Sequence, residues 1–247
     1  MGTDTKEFLS KLKEIKNECK VFVPSIKKQV TAKSITLKQQ KDIISTAVNG
    51  VRGALQFTQV INDIILENLD GDVFYAVDKV PIILALRVNS LGNWVKVEDG
   101  KSISLETVIT NIKDIPKFKY KEEVSVDDIV VNLRIPTLKE ENVVINKCIQ
   151  ELDRLTEESD LSEAVGLIYM AEIIKLIESV GVQEDVVDFN KLKVIDRVKI
   201  VETLPLQLYE KITSFYRQVS KYDISLLTVD DITVSMDASF FDAAIDA

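Results

Sequence analysis

The sequence predicts an α+β fold that is predominantly helical and contains a small antiparallel sheet. Apolar residues recur every three or four positions over most of the C-terminal half, which is the period of an amphipathic helix. Two capping boxes, Thr36-Leu-Lys-Gln39 and Thr137-Leu-Lys-Glu140, stand where helices should begin. Short runs near 94–105, 118–135 and 231–236 alternate between apolar and polar residues, which is typical of strands.

The N-terminal part predicts a helix followed by an extended segment. Residues 5–20 carry apolar side chains at helical spacing, and these are Phe8, Leu9, Leu12, Ile15 and Cys19. Residues 21–24 then predict an extended piece that ends at a proline.

Three helices are predicted in the next part of the chain. The first opens at the Thr36 capping box, and its predicted apolar face contains Leu37, Ile43, Ile44, Ala47 and Val48. The inward residues predicted for the second are Leu55, Val60, Ile61, Ile64, Ile65 and Leu69. The third starts near Asp78, carries Pro81 in its first turn, where a missing N–H costs little, and ends by Gly92.

Strands and helices alternate in the remainder of the chain. The Asp99-Gly100 pair predicts a hairpin within 94–105, a short helix is predicted near 105–113, and a second strand pair within 118–135. Four helical patterns follow at 137–156, 161–180 (ending at Gly181), 191–203 and 206–221. The second alternating stretch, 232–236, precedes an acidic tail.

The length of 247 residues suits one large domain or two modest ones, because domains have about 100–200 residues each. We predict an N-terminal helix extension at 1–20, an α+β lobe at 21–136 and a mainly helical lobe at 137–247 with a terminal strand and tail. Hydrophobic residues make up 46% of the chain and charged residues 29%, which is typical of a folded, soluble protein.

The composition excludes several classes of function. The net charge is −9 and the pI is near 4.8, and such a surface repels nucleic acids and anionic membranes. There is no histidine, which excludes Ser-His-Asp and Cys-His catalysis and histidine-ligated metals. The eight glycines form no phosphate-binding loop. We therefore predict a protein that is not an enzyme, needs no cofactor or metal, and binds neither nucleic acid nor membrane.

The cysteines and the apolar runs add to this interpretation. Cys19 and Cys148 each fall on an apolar helical stripe, so both are predicted to be buried free thiols in a reducing cytoplasm. The longest strongly apolar run, Val80 to Leu86, is interrupted by Pro81. It is far shorter than the roughly 20 residues that span a bilayer.

Two nearly repeated segments each carry a pair of acids, Asp127-Asp128 and Asp230-Asp231, before alternating apolar residues. A carboxylate metal site needs convergent oxygens, whereas adjacent residues of a strand point to opposite faces. We therefore interpret both pairs as a structural device at strand entry, in two strands that could be neighbours in one sheet. A metal-dependent hydrolase that uses these acids is the least favoured function.

Five residues are candidates for partner binding. Asp78 and Arg87 flank a strongly apolar helix, where they could complement the helix dipole or, as the sharper alternative, form an ion pair with each other or with another chain. Trp94 is the only tryptophan, and it could pack on the hairpin or anchor a partner. Phe240 and Phe241 lie near the C-terminus, where they could bind a partner or seal the core of the chain itself.

The order of these elements resembles the baseplate hub subunits and hub assembly chaperones of contractile-tailed, T-even-type phages. The segments that carry the resemblance are 23–28, 35–41, 78–92, 126–129, 135–138, 173–188, 201–205 and 232–241. The first twenty residues look like an added helix.

The resemblance implies a phage tail assembly protein that binds other baseplate hub and tail proteins without catalysis. It implies the cytoplasm of the infected bacterium, or the baseplate of the virion, as the location. A non-viral cytoplasmic scaffold module is the alternative. The chain could form a homo-oligomer. The sequence does not determine whether the protein stays in the virion, which hub protein it binds and through which surface, or what residues 1–20 do.

Overall fold

The computed structural model describes residues 18–71, 73–96, 102–106, 119–154, 161–220, 226–229, 232–236 and 238–241. Within those ranges the chain forms seven α-helices and ten short strands, all of them paired antiparallel. This confirms the predicted α+β, mostly helical class. None of the helices in these ranges is long and apolar enough to cross a membrane.

The first two strands form a hairpin at the start of the described chain. β1 (Glu18–Val23) pairs with β2 (Lys28–Lys33). The helix predicted over 5–20 is therefore wrong for residues 18–20, because Val21 and Val23 are buried on one face of a strand rather than continuing a helical stripe. The rest of that predicted helix lies outside the described residues.

Three helices follow the hairpin and begin close to where the sequence predicts them. They are α1 (Leu37–Ser45, extended by a 3₁₀ turn at Thr46–Val48), α2 (Gly50–Asn68) and α3 (Lys79–Leu91). The Thr36 capping box is present, and Gly92 ends α3 with φ of +99°. The apolar face predicted for α1 is wrong in part, because Ile43 is buried while Leu37, Ile44, Ala47 and Val48 are exposed.

Two of the predicted strand pairs are confirmed. β3 (Trp94–Lys96) pairs with β4 (Ser102–Ser104), and β5 (Lys121–Val126) pairs with β6 (Ile129–Arg134). Most of the helix predicted near 105–113 lies outside the described residues.

The largest sheet has four strands in the order β5-β6-β7-β8. β7 (Ile177–Val182) and β8 (Asp185–Asp188) complete it. The helix predicted over 161–180 is thus wrong beyond Ile174. Ile177 and Val180 are buried, and pairing of this segment with β6 overrides its local helical pattern.

The first acid pair forms a hairpin turn, which confirms a structural device. Val126 pairs with Ile129, so Asp127 and Asp128 connect the strands, and Asp127 has φ of +48°. Asp, like Asn, tolerates that backbone conformation better than most residues. The second pair separates β9 (Leu226–Val229) from β10 (Ile232–Ser235) and lies outside the described residues. β6 and β10 belong to different sheets, so the idea of neighbouring strands is wrong.

Four helices form most of the C-terminal half. They are α4 (Leu138–Leu152), α5 (Leu161–Ile174), α6 (Val194–Glu202) and α7 (Leu206–Ser220). Short 3₁₀ turns also lie at Phe189–Lys191 and Ala238–Phe241.

Buried side chains form two hydrophobic clusters. The first joins β1, β2, α1 to α3 and the β3–β4 hairpin with Met236, Phe240 and Phe241. The second joins the four-stranded sheet with α4 to α7. Strands β5 and β6 therefore pack with the C-terminal helices, although they precede residue 136 in the chain.

The contribution of the Thr137 capping box to stability can be tested by substitution. Thr137 Oγ1 accepts a hydrogen bond from the Glu140 amide (3.3 Å), and the Glu140 carboxylate accepts one from the Thr137 amide (2.9 Å). We expect Thr137→Ala to lower the free energy of unfolding by about 1 kcal/mol, measured by urea denaturation. The exposed Thr203→Ala should change it by less than about 0.5 kcal/mol. Equal effects of the two variants would contradict this role of the cap.

Candidate functional site

Four of the five predicted partner-binding residues meet around Arg87, near the end of α3. The Arg87 side chain is buried, and its guanidinium donates hydrogen bonds to the carbonyl oxygens of Phe240 (3.0 Å) and Gly92 (2.7 Å). The Trp94 carbonyl oxygen lies 3.5 Å from the same group. Arg87 therefore ties the C-terminal turn and the start of the β3–β4 hairpin to the end of α3.

Aromatic contacts extend this Arg87 cluster into the core. The guanidinium carbon lies 5.6 Å from the centroid of the Phe240 ring, which is cation–π distance. The rings of Phe240 and Phe241 meet edge to face with centroids 5.1 Å apart, and Phe57 lies 6.4 Å from Phe241. Gln40 of α1 donates to the Phe241 carbonyl oxygen (2.6 Å). The C-terminal turn is thus held by α1, α2 and α3 together.

Burial distinguishes the members of the Arg87 cluster. Phe240 and Phe241 are only 4% and 1% exposed, whereas Trp94 is 59% exposed. Two roles were predicted for these phenylalanines, binding of a partner or sealing of the core of the chain itself. Their burial and contacts support the second role. Trp94 has its backbone fixed within the cluster and its indole directed to solvent. Binding of a partner by any of these residues stays a prediction.

Asp78 lies apart from the cluster, at the start of α3. Its carboxylate accepts hydrogen bonds from the Ser25 amide (2.9 Å) and hydroxyl (2.6 Å) and from the Tyr75 amide (2.9 Å). Burial raises the pKa of Asp78, and these donors oppose that rise. The Asp78–Arg87 ion pair is not formed, because nine residues of helix separate the two by about 13 Å. Asp78 instead fastens the β1–β2 loop to α3.

A second polar cluster, the Glu141 cluster, is centred on a fully buried carboxylate and was missed by the sequence reasoning. Glu141, in the first turn of α4, is 0% exposed. Its Oε2 lies 2.7 Å from Nζ of Lys79, and its Oε1 lies 2.8 Å from Nζ of Lys175. Lys175 also pairs with Glu172. Two lysines and two glutamates therefore balance in charge, with the Glu172 side chain 22% exposed at the edge of the cluster.

Amides surround the Glu141 cluster and link it to α2. Asn62 Nδ2 donates to Glu141 (2.9 Å) and to the Asn142 side chain (2.9 Å). Asn142 in turn donates to Asp63 (2.7 Å). The Glu141 cluster therefore joins α2 and α3 of the first hydrophobic cluster with α4 and α5 of the second.

The electrostatics of Glu141 depend on its two lysines. Burial is the largest single effect and by itself would raise the pKa of the carboxyl group, but the ammonium groups of Lys175 and Lys79 together hold the pKa of Glu141 far below its usual range. The nearby Cys148 thiol behaves in the opposite way. Burial, with Glu172 and Glu151 as lesser causes, raises the pKa of Cys148 to about 12, so this free thiol is unreactive.

One feature of the sequence could have revealed the Glu141 cluster. Lys175 is the single charge within Ile173-Ile-Lys-Leu-Ile177, and Lys79 precedes a similarly apolar run. A charged residue inside an apolar run either reaches solvent or has a buried partner. The partner itself could not be chosen, because forty acids are present in the chain.

Two further features of the described residues concern metal ligands and free thiols. In those ranges, no group of three or more acidic, cysteine or histidine side chains could hold a metal ion. Cys148 is a buried free thiol as predicted, whereas the prediction is wrong for Cys19, which lies in strand β1 and is only partly buried.

Comparison with known proteins identifies a family. The model of a protein family described as "T4 bacteriophage base plate protein" matches residues 15–230. No curated protein and no solved structure matches the chain significantly.

Removal of the shared carboxylate tests the Glu141 cluster. We expect Glu141→Gln to lower the free energy of unfolding at pH 7 by about 3–5 kcal/mol, because it leaves buried ammonium groups short of a counter-charge. Since the folded-state pKa of Glu141 is lowered, the contribution of the carboxylate is complete above its unfolded pKa of about 4.3 and is lost as the pH falls toward the folded value. The difference between wild type and variant should therefore shrink below about pH 4.

A matched control for this measurement is Glu178→Gln. Glu178 pairs with Lys121, whose side chain is 69% exposed, so its loss should cost less than about 1 kcal/mol. Urea unfolding of both variants from pH 3 to 8 makes the comparison. Similar small losses for Glu141→Gln and Glu178→Gln would show that the buried charges do not stabilise the fold.

The Arg87 cluster is tested by the pair Phe241→Ala and Trp94→Ala. Phe241→Ala should lower the free energy of unfolding by about 3–5 kcal/mol, because it opens a cavity in the core. Trp94→Ala should lower it by less than about 1 kcal/mol, because the indole is exposed. Thermal and urea unfolding measure both. An unchanged stability of Phe241→Ala would contradict its role in the core.

Proposed function

The chain belongs to the T4 bacteriophage base plate protein family, and from this premise we propose that it is a baseplate hub subunit or hub assembly chaperone that acts by binding. The family itself gives the chain a structural or assembly role in a phage tail and contact with other baseplate or tail proteins. Its location is accordingly the virion tail or the cytoplasm of the infected host. The hub assignment and the absence of catalysis are the parts that we add.

The observation that carries the proposal is the exposed Trp94 on a rigid base. Interface hot spots are enriched in tryptophan, and such anchors bind best when their backbone is already ordered. Arg87 supplies that order, since its guanidinium holds the carbonyl group of Gly92, two residues before Trp94, together with that of Phe240 in the C-terminal turn. The indole therefore presents apolar area without a large loss of conformational entropy on binding.

The charge of the chain supports a basic hub or tail partner. With a net charge of −9, the protein attracts surfaces rich in lysine and arginine, and complementary charge increases the rate of association. A binding role of this kind needs no reacting group, which agrees with the lack of histidine in the sequence.

An affinity purification from infected cells tests the proposal. We expect tagged wild-type protein to recover other baseplate hub proteins at near-stoichiometric levels, identified by mass spectrometry. Trp94→Ala should reduce that recovery at least tenfold in dilute lysate, because loss of a central aromatic anchor commonly costs about 2 kcal/mol or more of binding free energy. The exposed Lys147→Ala is the matched control and should behave as wild type.

Two outcomes would contradict the proposal in different ways. Recovery of no tail protein by the wild type would argue against a hub role. Equal recovery by Trp94→Ala and wild type would keep the hub role and remove Trp94 from the interface. The presence or absence of the protein in purified virions then separates a hub subunit from a chaperone.

A further inference from the structure

Two arginine side chains converge on the short turn that connects β8 to α6. Arg134, at the end of β6, donates through Nη2 to the side-chain oxygen of Asn190 (2.8 Å). Arg197, in α6, donates through Nε to the carbonyl oxygen of Leu192 (3.2 Å). Because Asn190 and Leu192 are only two positions apart in this turn, the two guanidinium groups lie near each other. Burial, and then the charge of Arg134, lower the pKa of Arg197, while Asp188 opposes them.

The charges around this turn do not balance. Arg134 has a carboxylate partner, since its Nη1 lies 2.6 Å from Oε1 of Glu140. The Asp188 carboxylate accepts a hydrogen bond from a backbone amide of the turn (2.9 Å) and lies 3.7 Å from Nζ of Lys191. Three cations therefore face two carboxylates. Among the described residues, Arg197 is the cation of this group that has no carboxylate within ion-pair distance.

Arg197 is buried, yet most of its donors are free. The residue is only 7% exposed, and in the described part of the chain the donors on its two terminal nitrogens have no acceptor. The fully enclosed side-chain atoms without a partner in that part are Asn62 Oδ1 and Arg134 Nε, so the terminal nitrogens of Arg197 can be reached from solvent. Because a buried cation has lost hydration and is normally paired, the free end of Arg197 marks a place for an anion.

The hydrogen bond to Leu192 selects the geometry of that anion. With Nε occupied, the two terminal nitrogens remain as a parallel pair at the end of the guanidinium group. This pair matches the two oxygens of a carboxylate in a bidentate contact. A phosphate dianion could also accept such a pair, but it would meet stronger repulsion from Asp188 and Glu140 than a single negative charge would. The site therefore favours a carboxylate over a phosphate.

We propose that Arg197 is a carboxylate-binding site, whose ligand is an acidic side chain of a protein partner or a small carboxylic acid. The inference does not depend on the hub assignment. In a chain of net charge −9 it supplies one contact of the opposite polarity. Such an isolated contact would fix the orientation of a ligand more than it would raise the affinity.

Chemical modification of the full-length wild-type protein by p-hydroxyphenylglyoxal tests the proposal. This reagent condenses with both terminal nitrogens of one arginine, so it requires both to be free. Arg154, whose side chain is 72% exposed, is the control for bulk reactivity. Arg134, whose terminal nitrogens are both hydrogen-bonded, is the control for an occupied group. Peptide mass spectrometry measures the rate at each residue with sodium acetate, or with sodium chloride at the same ionic strength.

We expect Arg197 to react at least about fivefold faster than Arg134. Acetate at about 50 mM should then slow Arg197 at least threefold relative to chloride, because a single charged contact gives dissociation constants in the millimolar range. The rate at Arg154 should be equal in the two salts. No reaction at Arg197, or equal rates there in acetate and chloride, would overturn the site. Stronger protection by inorganic phosphate than by acetate would overturn the carboxylate assignment.

A variant gives an independent readout and a further probe separates the two sources of the carboxylate. Arg197→Lys keeps the charge but loses the paired nitrogens, so acetate should raise the melting temperature of wild type relative to chloride and leave that of the variant unchanged. Arg154→Lys should respond as wild type, and an equal response of Arg197→Lys would contradict the proposal. Stronger protection of wild-type Arg197 by N-acetylglutamate amide than by acetate assigns the carboxylate to a protein side chain, and the reverse order assigns it to a small acid. Either order supports the site.

Discussion

The interaction on which the rest of the structure depends is the sharing of Glu141 by Lys79 and Lys175. These side chains come from α4, from the start of α3 and from the residue that follows α5. A buried carboxylate is tolerated only when nearby opposite charges and hydrogen bonds replace its hydration. That requirement holds the ends of three helices within hydrogen-bond distance of one another. It thereby fixes how the two hydrophobic clusters meet.

The first hydrophobic cluster depends on a second long-range contact. Met236, Phe240 and Phe241 belong to it although they lie at the far end of the chain. The Arg87 guanidinium holds this C-terminal turn, because it donates to the Phe240 carbonyl oxygen and lies against the Phe240 ring. An arginine suits this place because its planar group can donate in several directions and also lie against an aromatic face. The same contacts leave Trp94 ordered and exposed. Packing in the core and the exposed position of Trp94, which we propose as a binding anchor, thus share one set of interactions.

Much of the fold and part of the candidate site could be predicted from sequence. Both capping boxes are local, because each needs only residues three positions apart, and both are present as expected. The hairpin start at Trp94 and the helix end at Gly92 are local in the same sense. The contact between Phe240 and Arg87 could not be foreseen, since 153 positions separate the two residues and neither segment contains a signal that identifies the other as its partner.

By itself the sequence determined the class of the fold, most element starts and the exclusion of histidine chemistry, because these depend on composition and on near neighbours. Only the tertiary structure decided that residues 177–182 form a strand, since this segment pairs with both β6 and β8 and buries Ile177 and Val180 there. It also selected Glu141 from forty acids, because burial between two lysines is a property of packing. Tertiary packing also decided which face of α1 is exposed, because the neighbouring elements contact only some of its sides.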